Sequence, residues 1–116
     1  MFNFEKLGVW QKAVDFAGLI YHTSRTFPAD ERFGLTNQIR RAAISISSNI
    51  AEGSARPPAD FTKFVGYASG SLYEVVTQST IARNESFLSK ADYDRVYNDA
   101  EEIARMLSGF RKSLGE

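Results

Sequence analysis

Residues able to do chemistry are sparse in this chain. It has one histidine, His22, and no cysteine. Thiolate catalysis and Cys-based metal sites are therefore excluded, and any Ser-His-Asp triad must use His22 as its base. His22 lies between Tyr21 and Thr23, and no Gly-x-Ser-x-Gly turn occurs that would expose a nucleophile beside it. It reads as a surface or partly buried histidine. The chain also lacks Glu-x-x-His, a P-loop and Gly-x-Gly-x-x-Gly, so neither a carboxylate-bridged metal pair nor a phosphate cradle is expected. The expectation is a non-enzymatic protein with no catalytic residues, no metal and no cofactor.

Two polar groupings remain. Arg41, Ser45, Ser48, Asn49 and Glu52 recur at three- and four-residue steps, which places them along one side of a helix. Ser71, Glu74 and Gln78 form a similar line further on. If the two lines face each other, Arg41 can pair with Glu74, and Asn49 and Gln78 can satisfy buried amides. The favoured reading is a polar network that fixes helix register; the alternative is a small polar pocket using Arg41, Asn49, Glu52, Glu74 and Gln78. The second grouping is basic: Arg32, Arg40, Arg41, Arg56 and Lys63, opposed in that region by Glu52 and Asp60. Arg40, Arg41, Arg56 and Lys63 are the candidate contacts to nucleic-acid phosphates. The favoured reading of the strip is a solvated helix face with one internal ion pair. No aromatic-interleaved basic motif accompanies it in sequence, so base stacking is not signalled.

The elements that would position these residues are helices. Leu7, Trp10, Val14, Ala17 and Tyr21 recur at helical spacing, with a second stripe of Val9, Ala13, Phe16 and Ile20 beside them. This predicts a first helix over about 4–25, ended by Phe27-Pro28. A band that wide suggests burial on two sides, one toward a neighbouring subunit. Ile39, Ala43, Ile46 and Ile50 predict a second helix over about 35–55, with Thr36 as N-cap and Gly53 to Pro58 as its break. A third, over about 59–84, carries Phe61, Phe64, Val65, Ala68, Leu72, Val75 and Val76, with Asp60 in its first turn. Gly66 and Gly70 inside it predict a close backbone contact, since each costs roughly 1 kcal/mol relative to alanine. The fourth starts after Ser89, an N-cap with Asp92 three residues on, and presents Tyr93, Val96, Tyr97, Ala100, Ile103, Ala104, Leu107, Phe110 and Leu114.

Four helices with short connectors predict one all-α domain over 1–116, an antiparallel up-and-down four-helix bundle. A chain of 116 residues supports one core. Fourteen basic residues balance fourteen acidic ones, so bulk charge does not draw the chain to nucleic acid or an anionic membrane. The N-terminus lacks the pattern of a signal peptide, and no apolar run approaches the roughly 20 residues that span a bilayer. A cytoplasmic protein without membrane contact is expected.

The chain resembles the 23S rRNA intervening-sequence proteins, often called four-helix bundle proteins. The resemblance is carried by Leu7-Gly8-Val9-Trp10-Gln11-Lys12-Ala13, by Phe27-Pro28 with Glu31-Arg32-Phe33-Gly34-Leu35, and by Gln38-Ile39-Arg40-Arg41-Ala42-Ala43. Ser48-Asn49-Ile50-Ala51-Glu52-Gly53 and Ser69-Gly70-Ser71-Leu72 with Glu74 extend it over nearly the whole chain. The Asn-Ile-Ala-Glu-Gly and Gly-Ser-Leu-x-Glu elements in that order are specific together. The resemblance implies a ring-like homopentamer and a bacterial cytoplasmic protein, sometimes encoded within inserts in ribosomal RNA genes. It brings no catalytic residue. A related accessory protein of diversity-generating retroelements binds nucleic acid and a reverse transcriptase through a basic surface, whereas this chain is charge-neutral. The expected partners are copies of itself, with RNA or another protein as further candidates. Interfaces are expected on the second stripe of helix 1 and on small-residue faces of helices 2 and 3.

Overall fold

Apolar residues at helical period, bounded by proline and serine, become four long helices: α1 (Gly8–Thr23), α2 (Leu35–Gly53), α3 (Pro58–Asn84) and α4 (Lys90–Ser113). The computed structural model describes residues 1–115, so Glu116 of the expected domain lies outside it. Among the described residues there are no strands, and no helix is long and apolar enough to cross a membrane. The first helix begins later than its periodicity suggests. Asn3–Lys6 forms a separate 3-10 turn, because Leu7 is extended at φ −78°, ψ 122°. Pro58 occupies the first turn of α3, where its missing N–H costs nothing. Ser89 caps α4 by accepting from the Asp92 N–H at 3.1 Å. Thr36 does not cap α2. It is buried inside the first turn, and the Leu35 N–H is taken instead by Glu31 Oε1 at 3.0 Å.

Each helix packs on the next in sequence, and α4 closes the ring against α1. The bundle is 42 Å long and 23 Å across. Its neighbours run antiparallel. Phe61 at the start of α3 meets Phe110 at the end of α4, with ring centroids 5.1 Å apart. At the other end Thr26, after α1, donates to the Phe87 carbonyl at 3.3 Å, joining the connectors of the two helix pairs. The core is the buried stripe of each helix: Phe16 and Ile20; Ile39, Ile46 and Ile50; Val65, Leu72 and Val75; Val96, Ile103 and Leu107. Each such side chain contributes about 1.5–3 kcal/mol on leaving water.

Two expectations about packing reverse. On α1 the stripe assigned to a subunit contact, Val9, Ala13, Phe16 and Ile20, is the buried core. The other stripe turns outward, with Trp10 and Ala17 half-buried and Val14 and Tyr21 exposed. Gly66 and Gly70 face open space, since a methyl added at either would meet nothing within 4 Å. The close approach lies at Gly53, where a methyl would stand 2.6 Å from Phe64 Cβ. Across the α1–α4 seam, Lys12 Nζ lies 3.1 Å from Glu102 and 3.6 Å from Asp99. Its pKa is raised, chiefly by the hydrogen bond to Glu102 and also by the charges of both carboxylates, with partial burial opposing.

Candidate functional site

Small residues bring α2 and α3 together and leave a polar groove between them. Gln38, Arg41, Ala42, Ser45, Ser71, Glu74 and Gln78 line an open volume of about 310 Å³. Helical steps of three and four place Arg41 and Ser45 on one wall, and Ser71, Glu74 and Gln78 on the other. Ser71 Oγ donates to Ser45 Oγ at 3.0 Å, tying the helices together. Asn49 Nδ2 donates to the Ser45 carbonyl at 2.8 Å and to its hydroxyl at 2.9 Å. Arg41 and Glu74 share the groove without forming an ion pair, so the expected charge pair is not made. Gln78 lines the groove, yet its Oε1 is buried and has no hydrogen-bond partner. Glu52 is exposed and lies outside the groove lining. The structure thus gathers Arg41, Glu74 and Gln78, leaves Asn49 at the edge through Ser45, and separates Glu52.

The basic strip divides into two ends. Arg41 and Gly53 lie twelve helical steps apart on α2, or about 18 Å along a helix axis. Beyond Gly53, Arg56 stacks its guanidinium 5.1 Å from the Phe64 ring centre, and Lys63 lies 3.9 Å from Asp60. At the other end Arg40 Nε donates to Ser24 Oγ at 2.8 Å. The Arg40 guanidinium lies 4.7 Å from the Tyr21 ring centre, at the end of α1. Arg41 is exposed and borders both the α2–α3 groove and the α1–α2 corner. The four residues expected to contact phosphates therefore fall into two groups, Arg40 with Arg41 and Arg56 with Lys63.

The fold instead assembles something the linear sequence did not signal. Tyr21, Arg32, Phe33, Thr36, Asn37, Arg40, Arg41 and Ile44 line a concavity of about 480 Å³ at the α1–α2 corner. Two aromatic rings and three arginines line it, with Arg32 against Phe33 and Arg40 against Tyr21, although Tyr21 belongs to α1 and Phe33 to the turn before α2. The Arg32-Phe33 dipeptide before Gly34 was the available hint. A second feature was also missed. Leu72, Tyr73, Val76, Thr77, Tyr97, Ala100, Glu101 and Ala104 form a mainly apolar groove of about 260 Å³ between α3 and α4. Tyr73 and Tyr97, at 63% and 42% exposure, stand at its rim. Tyr97, on the expected apolar face of α4, is thus exposed.

Comparison with known proteins places this geometry in context. The family model of 23S rRNA-intervening sequence protein matches residues 5–109. A crystal structure of a protein of unknown function from the S23 ribosomal protein family of Bacteroides thetaiotaomicron superposes with a TM-score of 0.82. It is 24% identical in sequence, and the match covers 90% of this chain and 95% of that one. No curated protein matches the chain.

Proposed function

We propose that this chain, which belongs to the 23S rRNA-intervening sequence protein family, works without catalysis as a self-assembling scaffold, its copies closed into a homopentameric ring. The supporting observation is a pair of distinct apolar faces on one protomer. The outer stripe of α1 offers Trp10 and a 40%-exposed Val14, and the α3–α4 groove offers Tyr73, Val76 and Tyr97. Two different faces suit a head-to-tail contact, which closes into a ring when the rotation between copies allows. Zero net charge leaves little electrostatic resistance to such association. Native mass spectrometry at micromolar concentration tests the proposal: a pentamer supports it, and a monomer overturns it.

Nucleic-acid binding is the competing reading. It draws support from Arg40 and Arg41, neither of which is paired with a carboxylate among the described residues.

A further inference from the structure

We infer that the α1–α2 corner is a binding site for single-stranded RNA, in which Phe33 and Tyr21 stack on bases and Arg32, Arg40 and Arg41 hold phosphates. This deepens the nucleic-acid reading and does not depend on the scaffold. The corner shares Tyr21 with the outer stripe of α1, but includes neither Trp10 nor Val14 nor any residue of the α3–α4 groove proposed to join copies.

Charge comes first. Although the whole chain is neutral, the segment from Tyr21 to Arg41 holds four arginines against Asp30 and Glu31. Of these two acids, Glu31 already takes the Leu35 N–H at 3.0 Å. No carboxylate lines the concavity, and Arg32, Arg40 and Arg41 form no ion pair. Unpaired guanidiniums around a concave surface recognise phosphate oxygens well, because each presents a rigid fork of donors. Arg40 is held in place by Ser24 Oγ at 2.8 Å and by the Tyr21 ring, and still has N–H groups to spare.

Stacking comes second. Phe33 is 87% exposed, the most of any aromatic side chain here, and has the Arg32 guanidinium 5.5 Å from its ring centre. A single exposed phenylalanine is unremarkable. Here it opens onto the same concavity as Tyr21 and three arginines, the combination by which single strands are bound: a basic track with rings that accept any base. Asn37 on the first turn of α2 adds an amide able to meet a base edge. A regular duplex keeps its bases stacked inside and cannot use the rings. An acidic peptide would use the arginines and ignore Phe33. The aromatic component therefore favours the single strand over both.

Fluorescence anisotropy on the full chain tests this, with a labelled single-stranded RNA of about 12 nucleotides, within the site sizes such surfaces cover. The same sequence as a duplex and a polyglutamate competitor serve as the other arms. The single strand is expected to bind more tightly than the duplex. Its affinity falls roughly 20-fold between about 50 and 200 mM salt, from a slope of about −0.7 for each of three phosphates. Phe33→Ala, at a position too exposed to disturb folding, loses about tenfold. Arg32→Gln and Arg41→Gln each flatten the salt slope. Equal binding of the duplex, displacement by polyglutamate as effective as by RNA, wild-type binding by Phe33→Ala, or a greater loss from Arg56→Ala with Lys63→Ala would each overturn the site. Because the mass of the assembly is measured separately, loss of the ring and loss of RNA binding are distinguishable.

Discussion

Gly53 at the end of α2 faces Phe64 on α3 so closely that a methyl at position 53 would stand 2.6 Å from the Phe64 Cβ and 2.8 Å from Phe61 Cδ1. Phe61 is buried, and the Phe64 contact falls on its Cβ beside the backbone, so neither residue has an easy retreat. Gly53→Ala is expected to lower stability by about 1–3 kcal/mol, the usual range for overpacking a filled core. Urea denaturation checks it. An unchanged midpoint would mean that the α2–α3 corner gives way more readily than this geometry implies.

Gly66 and Gly70 should respond with the opposite sign. Both lie inside α3, and an added methyl meets nothing. Alanine at either position is expected to raise monomer stability by about 0.5–1 kcal/mol through helix propensity. Thermal melts of the single and double variants would show it. A destabilising result accompanied by a loss of oligomer mass would place these glycines in a contact between copies.

Ser79 is 1% exposed, and its hydroxyl has no hydrogen-bond partner. Such a group bears its desolvation cost without compensation, about 1–3 kcal/mol. Ser79→Ala should therefore stabilise the bundle, by on the order of 1 kcal/mol. A clear drop in melting temperature would contradict that assignment.

Lys12 supplies a pH-dependent test of the α1–α4 seam. The hydrogen bond to Glu102 and the nearby Asp99 charge hold its folded pKa above the ordinary lysine value. The folded state thus keeps its proton longer than the unfolded chain does. The stabilisation is fully present below the unfolded pKa of about 10.4 and is lost as pH rises through the folded one. Lys12→Met should cost about 0.5 kcal/mol at neutral pH, given the partial exposure of the cluster. The gap between wild type and variant should close above that range. Denaturation at several pH values, with both proteins side by side, reads it directly.

Tyr97 and Tyr73 rim the α3–α4 groove and stand largely in solvent. Tyr73→Glu with Tyr97→Glu should leave the helices intact by circular dichroism while reducing the mass seen in light scattering to that of a protomer. An oligomer that survives both changes would move the contact elsewhere on the bundle.

What the sequence determined by itself was whatever depends on near neighbours in the chain. Four amphipathic periods, the prolines that interrupt them and the Ser89 cap are encoded within a few residues of one another, and all appear in the fold. The 23S rRNA-intervening sequence motifs were legible for the same reason. Tertiary structure alone decided which surface each helix shows. Both stripes of α1 are apolar, and only packing against α2 and α4 buries Phe16 and leaves Val14 out. The same holds for the glycines: whether one is essential depends on what stands opposite, which is Phe64 for Gly53 and nothing for Gly66. Arg40 and Arg41 are adjacent in sequence, yet a helix turns about 100° between them. That rotation holds Arg40 against Ser24 and Tyr21 and leaves Arg41 exposed on the ridge between the α1–α2 corner and the groove with Glu74. The concavity joining Tyr21 to Phe33 exists only because the chain reverses between α1 and α2, and no local pattern records how far it reverses.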